Sequence, residues 1–387
     1  MNITNITLWS EAVAFPILSA LTLIPLATLV LVMLIPSPAV TLRLGFVGTI
    51  STFLLSIYLM YVFNPDQSGI QLYEHYQNLH LTYSVGVDGT NILFILLTTI
   101  LSLLALIYTL TTRRVSDRTH IACLLGYEAI LIGAFTAMNA LQFWLWCFLE
   151  LIPVVVMTLR AGSGQNRRWV VALLLQHWGS GLLMVLAGFL MLGFGLMVST
   201  DVLSFDWLVL KNTDVKLEYA TLIFFLLLFG FAIRMPLFPF HAWLPVLAEQ
   251  GTVASVGIFL VSLKLGIYAT MRFLIPLLPE VAEHWAWFVV TMALISIFYG
   301  ALLALMQINF RRLLAFAIIS QTGLIVIGLF DFNTYGMEGS IILSVFFGLA
   351  TAGMLLSLGM IYKRTHTAFI PRLGGMFDTN AAIAVLF

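Results

Sequence analysis

The sequence predicts an all-α polytopic membrane protein, and three features of its composition and charge carry that prediction. Of its 387 residues, 61% are hydrophobic and only 9% are charged, whereas a soluble domain has about 25% charged residues. The apolar residues form runs of about 20, the length that a helix needs to cross a hydrocarbon core of roughly 30 Å. Nearly all basic residues lie between these runs, where a membrane protein keeps them.

Eleven of the apolar runs are long enough to be complete membrane spans. In chain order they cover 14–35, 43–63, 90–110, 120–138, 140–159, 169–192, 219–249, 252–273, 284–304, 312–330 and 340–362. A further apolar stretch begins at Ala381 and reaches Phe387, which is too short to cross a bilayer. We expect that stretch to be the start of a twelfth helix.

The charges between the spans predict the orientation of the chain. With the N-terminus on the trans side, the opposite loops contain Arg43, Arg113, Arg114, Arg118, Arg160, Arg167, Arg168, Arg311, Arg312, Lys363, Arg364 and Arg372. The trans loops contain only Lys211, Lys216 and Arg272. The positive-inside rule therefore places the first set in the cytoplasm. The two longer trans loops, 64–86 and 199–218, are expected to be solvated caps.

Several classes of function are disfavoured by the composition. Lys plus Arg and Asp plus Glu both number 17, so nucleic acid is not an expected partner. Cys123 and Cys147 form no Cys-x-x-Cys motif, which argues against a thiolate iron–sulfur or zinc site. No glycine-rich phosphate loop is present. We expect no cofactor and no metal on this chain, and lipid around it.

The seventh run is predicted to be a broken helix. Its thirty-one residues would form a straight helix of about 46 Å, which is too long for the bilayer. Pro236, Pro239 and Pro245 interrupt it. Discontinuous helices are tolerated where protein or water satisfies the freed backbone groups, and they often line ion sites.

Charged residues inside the spans are the candidates for function. Arg234, Lys264 and Glu150 lie within apolar runs, and Glu128 lies in the fourth span. Such charges are costly and commonly mark ion or proton paths. Coupled buried groups can form a proton relay, and a structural buried ion pair is the alternative. His241, which follows the break, could relay protons or cap the broken helix; His177 fits an interior histidine.

Two motifs carry a family resemblance. Arg234-Met-Pro-Leu-Phe-Pro-Phe-His-Ala-Trp-Leu-Pro245 and Leu263-Lys264-Leu-Gly-Ile-Tyr268 resemble the antiporter-like membrane subunits of respiratory and photosynthetic complex I. The match extends over most of the chain. Further matching segments are Gly86-Val-Asp88-Gly, Glu128-Ala, Phe148-Leu-Glu150-Leu-Ile-Pro153, Arg312-Leu-Leu-Ala-Phe-Ala-Ile-Ile-Ser-Gln321 and Tyr362-Lys-Arg-Thr-His366.

The resemblance implies about fourteen helices with two inverted five-helix repeats. Residues 1–119 would hold three N-terminal helices, and 120–273 the first repeat, helices 4–8, with a proton channel. Residues 284–387 would hold an incomplete second repeat, helices 9–11 and the start of 12. The site residues implied for the proton path and its electrostatic tuning are Glu150, Lys264, Arg234, His241 and Glu128.

Two positions depart from the family pattern. Arg234 stands where lysine is usual, and Gln321 stands where histidine is usual. Arginine effectively never releases its proton, so Arg234 can act only as an electrostatic gate on Glu150 and Lys264. Glutamine does not titrate. The charged residue of the family's twelfth helix has no counterpart in this chain.

The sequence after the break also resembles one branch of the family. Val246-Leu-Ala248 follows Pro245 as in the NdhD-type subunit of the cyanobacterial NDH-1 complex specialised for carbon dioxide uptake. That branch implies proton pumping coupled to electron transfer from ferredoxin or NAD(P)H to plastoquinone in the thylakoid membrane, with the N-terminus in the lumen.

The branch also implies where the cofactors and partners lie. Iron–sulfur clusters and plastoquinone would belong to the complex, and this chain would hold no redox centre. Its partners would be other membrane subunits, including a second antiporter-like subunit, and a carbon dioxide hydration module. Two alternatives stay open: a subunit of a multi-subunit Na⁺/H⁺ antiporter, and a structural scaffold whose channel Arg234 closes.

Overall fold

The computed structural model describes residues 6–78, 81–112, 118–162, 166–212, 219–251 and 253–374. The helices are α1 (Trp9–Ala12), α2 (Ile17–Leu34), α3 (Pro38–Val62), α4 (Ile92–Thr112), α5 (Arg118–Thr136), α6 (Ala140–Leu149), α7 (Leu151–Ala161), α8 (Arg167–Thr200), α9 (Trp207–Asn212), α10 (Ala220–Arg234), α11 (Trp243–Gln250), α12 (Val253–Ala269), α13 (Ile275–Leu277), α14 (Pro279–His284), α15 (Ala286–Leu305), α16 (Phe310–Leu329) and α17 (Thr334–Thr365). The predicted positions Arg113, Arg114, Lys216 and Ala381–Phe387 lie outside the described residues.

Helices occur at all eleven predicted spans, but three spans are interrupted. Nine spans of the described chain are long and apolar enough to cross a membrane. The fifth of the eleven consists of α6 and α7, and the seventh of α10 and α11. The eighth consists of α12, a π-helical turn at Thr270–Leu274 and α13. The polytopic helical fold is therefore confirmed.

Several spans extend beyond their predicted limits, and α8 and α17 extend furthest. Helix α8 continues to Thr200, although the predicted span ends at residue 192, and α17 begins at Thr334 instead of 340. Helices can continue outside the hydrocarbon, because water satisfies their backbone there and apolar side chains are no longer required. The hydropathy pattern therefore marks the part of each helix that lies in the hydrocarbon, and the whole helix is longer than that part.

A three-stranded sheet lies where a solvated cap was expected. Strand β1 (Ile6–Leu8) pairs in parallel with β2 (Ile70–Asn78), which pairs antiparallel with β3 (Leu81–Val87). Ile70, Val85 and Val87 are buried, so one part of the sheet packs on the bundle. The prediction of a solvated loop at 64–86 was wrong here, because short half-buried strands have a weak hydropathy signal.

Helix α5 lies at the centre of the bundle. It packs against α2, α3, α4, α6, α7 and α12, and it is buried for most of its length. Aromatic side chains join these helices: Phe94 stacks on Phe135 at 5.3 Å, and the Tyr268 ring meets Phe135 edge-on at 5.4 Å. Packing of this kind fixes the positions of α5 and α12, which both contact α7.

One end of the bundle is held by a buried arginine. Arg272 was assigned to a trans loop, but it lies in the π-helical turn with 3% of its surface exposed. Its guanidinium pairs with Asp88 at 2.7 Å and donates to the Tyr268 hydroxyl at 3.2 Å. The Trp207 indole donates to the Arg272 carbonyl. Burial of this charge is possible because each of its groups has a partner.

The other end is held by Arg311, which was also predicted to lie in a loop. Its side chain is buried at the start of α16, and it donates to the carbonyl oxygens of Glu249 and Gly251 at 3.2 and 3.3 Å. Its guanidinium lies 4.7 Å from the centre of the Tyr362 ring. Arg311 therefore caps the C-terminal end of α11, where a positive charge is favourable.

The sheet is attached to the first span by Glu74. This fully buried carboxylate accepts hydrogen bonds from the backbone of Leu18 at 2.8 Å and Ser19 at 3.1 Å, and from the Ser19 hydroxyl. Burial raises the pKa of the Glu74 carboxyl, and the hydrogen bonds from Ser19 and Leu18 oppose that shift. Because α2 begins after Pro16 without a side-chain cap of its own, Glu74 acts as its N-terminal cap.

Replacing Glu74 with alanine should loosen this attachment. We expect Glu74→Ala to leave the Leu18 and Ser19 amides without acceptors, at a cost of about 1–3 kcal/mol. Faster amide hydrogen exchange at 17–20 and 70–76 would show it, and Glu283→Ala, at an exposed position, is the control. The Glu74 carboxyl has a pKa above the ordinary 4.5 in the folded chain, so folding favours its protonated form. In the native chain, the protection of these backbone amides against exchange should therefore increase as the pH falls through that raised pKa. Unchanged exchange in Glu74→Ala would contradict this role.

Candidate functional site

The fifth span is interrupted at Glu150 by a proline that follows it. Pro153 has no N–H, so the Leu149 carbonyl has no helical donor four residues later. Helix α6 ends at Leu149 and α7 begins at Leu151, with Glu150 between them and fully buried. The sequence thus places a carboxylate at a break inside the bundle.

The seventh span is interrupted directly after Arg234. Pro236 cannot donate to the Ala232 carbonyl, and the Leu237 N–H donates to it at 3.0 Å instead. The Phe238 N–H donates to the Ser296 hydroxyl at 2.7 Å. The break is therefore satisfied by protein groups, as an apolar environment requires.

Helix α12 approaches this break closely at Gly266. A Cβ atom added there would lie 2.7 Å from the Met235 nitrogen and 2.8 Å from the Phe231 carbonyl oxygen. Only glycine allows this approach. It brings the segment that carries Lys264 next to the end of α10.

Arg234 and Glu150 form a buried ion pair between the two breaks. The Arg234 Nη2 atom contacts Glu150 Oε2, and the Tyr127 hydroxyl donates to Glu150 Oε1 at 2.7 Å. The guanidinium lies 4.1 Å from the centre of the Trp178 ring. The Cys147 thiol lies beside it. Four helices, α5, α6, α8 and α10, thus surround one pair of charges.

Lys264 is buried without a charged partner in the described part of the chain. It is 3% exposed, and its Nζ atom lies 5.7 Å from the Phe347 ring of α17. No described carboxylate pairs with it. The hydroxyls of Ser262 on α12 and Ser344 on α17 are buried, and neither bonds to a described residue. Ser262 lies beside the Tyr127 hydroxyl, without hydrogen-bond geometry. Lys264 therefore has no counter-charge among the described residues, whereas Arg234 has one in Glu150.

Two predicted site residues lie apart from the ion pair. Glu128 is fully buried on α5, and both its carboxylate oxygens lack a hydrogen-bond partner among the described residues. Because it follows Tyr127 directly, it points about 100° away around the helix. His241 lies against the rings of Phe238 and Tyr299, at 5.8 and 5.0 Å, and so faces α15.

Tyr127 and Trp178 are the site residues that the sequence analysis did not identify. Tyr127 is 23 residues from Glu150, and Trp178 is on a third helix. A tyrosine or tryptophan in an apolar run resembles ordinary packing, so neither carries a signal before the helices are assembled. His177, predicted as an interior histidine, is partly buried, and its Nδ1 lies 2.8 Å from the Leu173 carbonyl oxygen.

The chain is similar in sequence to membrane subunits of respiratory enzymes. Residues 137–387 match the family described as NADH:quinone oxidoreductase/Mrp antiporter, TM. NADH-quinone oxidoreductase subunit M of Rickettsia typhi is 30% identical over 346 residues, which cover 88% of this chain and 69% of the relative. NADH-ubiquinone oxidoreductase chain 4 of Chondrus crispus is 31% identical over 378 residues, covering 96% and 75%.

Solved structures show the same fold. A chain of respiratory complex I from Thermus thermophilus with bound NADH has a TM-score of 0.84 and 27% identity, covering 96% of this chain and 76% of that one. A chain of the Mrp complex from Dietzia sp. DQ12-45-1b has a TM-score of 0.77 and 17% identity, covering 90% and 38%. At that identity, the second similarity shows the fold alone.

Removing the negative charge of the pair should destabilise the protein strongly. Glu150→Gln leaves the Arg234 charge buried without a counter-charge, which costs about 3–5 kcal/mol. We expect lower yield and a lower melting temperature in detergent, with recovery in Glu150→Gln/Arg234→Gln. The matched control is Glu249→Gln, which removes the partly exposed Arg312 pair at 3.6 Å and should cost about 0–1 kcal/mol. Equal stability of Glu150→Gln and Glu249→Gln would contradict the role of the pair.

Proposed function

The chain belongs to the NADH:quinone oxidoreductase/Mrp antiporter family of membrane proteins, and we propose that it translocates protons as a membrane subunit of a complex I-type quinone oxidoreductase. The observation that carries the proposal is the buried Glu150–Arg234 pair at two helix breaks. Lys264 lies on α12, which packs against both α7 and α10.

The three charged residues have different roles in this mechanism. Glu150 and Lys264 take up and release protons, whereas Arg234 keeps its charge. When Glu150 is ionised, it neutralises Arg234, and a positive charge on Lys264 is tolerated. When Glu150 is protonated, the charge of Arg234 is uncompensated and repels a proton on Lys264. Proton uptake at Glu150 therefore favours proton release at Lys264.

A polar cavity at the predicted cytoplasmic end is the proposed entry to this path. Its volume is about 440 Å³, and Glu249, Asn309, Arg311 and His366 line it. It lies at the C-terminal end of α11, the second half of the broken span. Protons from the cytoplasm would enter here. Glu128 and His241, which lie apart from the pair, would exchange protons toward the N-terminal helices and toward α15.

The finer assignment is to a photosynthetic complex. On the motif around Val246–Ala248, we assign the chain to the NDH-1 complex of the thylakoid membrane, with its N-terminus in the lumen. Ferredoxin or NAD(P)H would reduce plastoquinone elsewhere in the complex and drive carbon dioxide uptake in a neighbouring hydration module. Purifying the complex and identifying its subunits, its second antiporter-like subunit and its electron donor tests this assignment.

Two alternatives are distinguishable by experiment. The description of the matching family includes the Mrp antiporter, and this favours a Na⁺/H⁺ antiporter subunit as the second candidate. Sodium-dependent acidification in vesicles without any electron donor would decide for it. A closed scaffold, in which the Arg234 charge blocks the path, would show neither sodium-dependent nor donor-dependent proton movement through this chain.

Lys264→Met should abolish proton translocation without preventing assembly. Methionine fills similar space and removes the group that exchanges protons, so we expect the rate to fall by at least about 100-fold. The measurement is donor-driven acidification of inverted vesicles. Lys363→Met, at an exposed position on the same predicted cytoplasmic side, is the control. Undiminished pumping in Lys264→Met would reject the proposed path.

Arg234→Lys distinguishes two hypotheses: a proton path whose electrostatics Arg234 adjusts, and a closed scaffold. Lysine has no planar guanidinium to lie over the Trp178 ring while it contacts Glu150, so we expect lower coupled proton translocation and lower carbon uptake. The measurement is the ratio of protons moved to electrons transferred. A gain of proton flux in Arg234→Lys would instead favour the scaffold.

A further inference from the structure

A surface pocket lies where the fifth span ends and the sixth begins. Helix α7 ends at Ala161, and α8 begins at Arg167. The pocket between them is lined by Leu159, Asn166, Arg167, Arg168 and Trp169. Its volume is about 640 Å³, which lies within the range of roughly 300–1,000 Å³ for sites that bind small molecules. The pocket is therefore large enough for a ligand.

This pocket lies at the boundary between hydrocarbon and water. The apolar runs of the two spans cover 140–159 and 169–192, so Leu159 is the last residue of one run and Trp169 is the first of the next. The polar lining residues lie between the two runs. A molecule in the pocket would meet apolar side chains on its membrane side and polar side chains on its water side. An amphiphile satisfies both.

The water side of the pocket is positively charged. Arg168 is exposed there, and the Arg167 guanidinium donates to the carbonyl oxygens of Leu159 and Arg160 at 3.2 and 3.5 Å. Those bonds keep the Arg167 side chain at the end of α7. The sequence has no acidic residue in 151–200. Because guanidinium groups bind phosphate and similar anions through paired hydrogen bonds, an anionic group is the favoured ligand on this side.

The start of α8 adds to the attraction for an anion. The first N–H groups of a helix have no acceptor within it, and they form the positive end of its dipole. Asn166 is the N-cap residue of this 34-residue helix, and its side chain makes no capping hydrogen bond to the described chain. An anionic group in the pocket can accept from these N–H groups while the two guanidinium groups bind its other oxygens.

The membrane side of the pocket continues as an apolar path along α7. Trp169 is 57% exposed, and Leu159 is 40% exposed. Ile152 is 59% exposed, and it lies seven residues before Leu159, on the same side of the helix. Tryptophan is typical of the membrane interface. An acyl chain can therefore lie on Leu159 and Ile152 with its headgroup beside Trp169.

We propose that this pocket binds one anionic lipid, with its headgroup on Arg167, Arg168 and the start of α8 and its acyl chains along Leu159 and Ile152. The apolar path favours a lipid over a free anion, and the two arginines favour an anionic lipid over a neutral one. The site does not depend on proton translocation by this chain.

Cryo-EM of the assembled complex in nanodiscs tests the site directly. With equal parts of phosphatidylglycerol and phosphatidylcholine, we expect an elongated density whose headgroup lies within about 3 Å of the Arg167 or Arg168 guanidinium and whose chains follow Leu159 and Ile152. A pocket without density in the native complex would overturn the proposal. So would a compact density without chains, which shows a free anion only, or a polypeptide of another subunit in the pocket.

Photoactivatable lipids test the preference for an anionic headgroup. We expect a phosphatidylglycerol probe in these nanodiscs to label the segment 151–169 several-fold more than a phosphatidylcholine probe with the same reactive chain, as measured by mass spectrometry of the labelled peptides. Excess unlabelled phosphatidylglycerol should remove the label, and excess phosphatidylcholine should not. Equal labelling by the two probes would reject an anionic lipid.

Two variants with matched controls test the residues. Arg168→Glu reverses an exposed charge at the pocket, and Lys363→Glu does so at an exposed position elsewhere. We expect phosphatidylglycerol labelling of 151–169 to fall several-fold in Arg168→Glu and to stay at the native level in Lys363→Glu. Trp169→Ala should lower the labelling by both probes, whereas Trp287→Ala, at a residue 64% exposed on α15, should not.

Native labelling in both Arg168→Glu and Trp169→Ala would overturn the lipid site. If either variant assembles poorly, the competition between unlabelled lipids in the native complex still decides the preference for an anionic headgroup. None of these measurements depends on transport, so undiminished pumping by Lys264→Met would reject the proposed function and leave the lipid site standing.

Discussion

The buried ion pair between Arg234 and Glu150 is the constraint on which the rest of the structure depends. A guanidinium inside a bilayer is tolerated only with a counter-charge and hydrogen-bond partners. Each partner comes from a different span, and each lies at a proline-induced break. Tyr127 and Trp178 then complete the surroundings from two further helices. Helix packing, and not the local sequence of any one span, makes these charges stable.

The helix breaks at Glu150 and Arg234 lie between two ends of the bundle that buried arginines hold in place. At one end Arg272 joins the π-helical turn after α12 to Asp88, which precedes α4. At the other end Arg311 caps the carbonyl groups that end α11. Interrupted helices have fewer backbone hydrogen bonds than continuous ones, so conformational change is easiest there. The fixed ends would confine that change to the level of Glu150, Arg234 and Lys264.

Arg234 and Lys264 are unlike charges in spite of their equal sign. Arg234 pairs with a carboxylate and stacks on an indole, whereas Lys264 lies near the Phe347 ring and pairs with no carboxylate of the described residues. The guanidinium retains its proton in both states of Glu150. Arg234 therefore contributes a constant electrostatic field. Of these three residues, only Glu150 and Lys264 can change their charge.

By itself the sequence determined the membrane class, the positions of the apolar helices, the break at Pro236 and the charged residues within the apolar runs. These properties are local: run length, proline and the cost of a charge in hydrocarbon decide them without reference to the rest of the chain. Only the tertiary structure decided that Arg234 pairs with Glu150 while Lys264 does not, that Arg272 and Arg311 are buried, and that residues 70–87 form a sheet held to α2 by Glu74. Those outcomes depend on contacts between residues far apart in sequence, such as Glu74 and Leu18, which are 56 residues apart. The hydropathy of a segment does not indicate which distant residue it will contact.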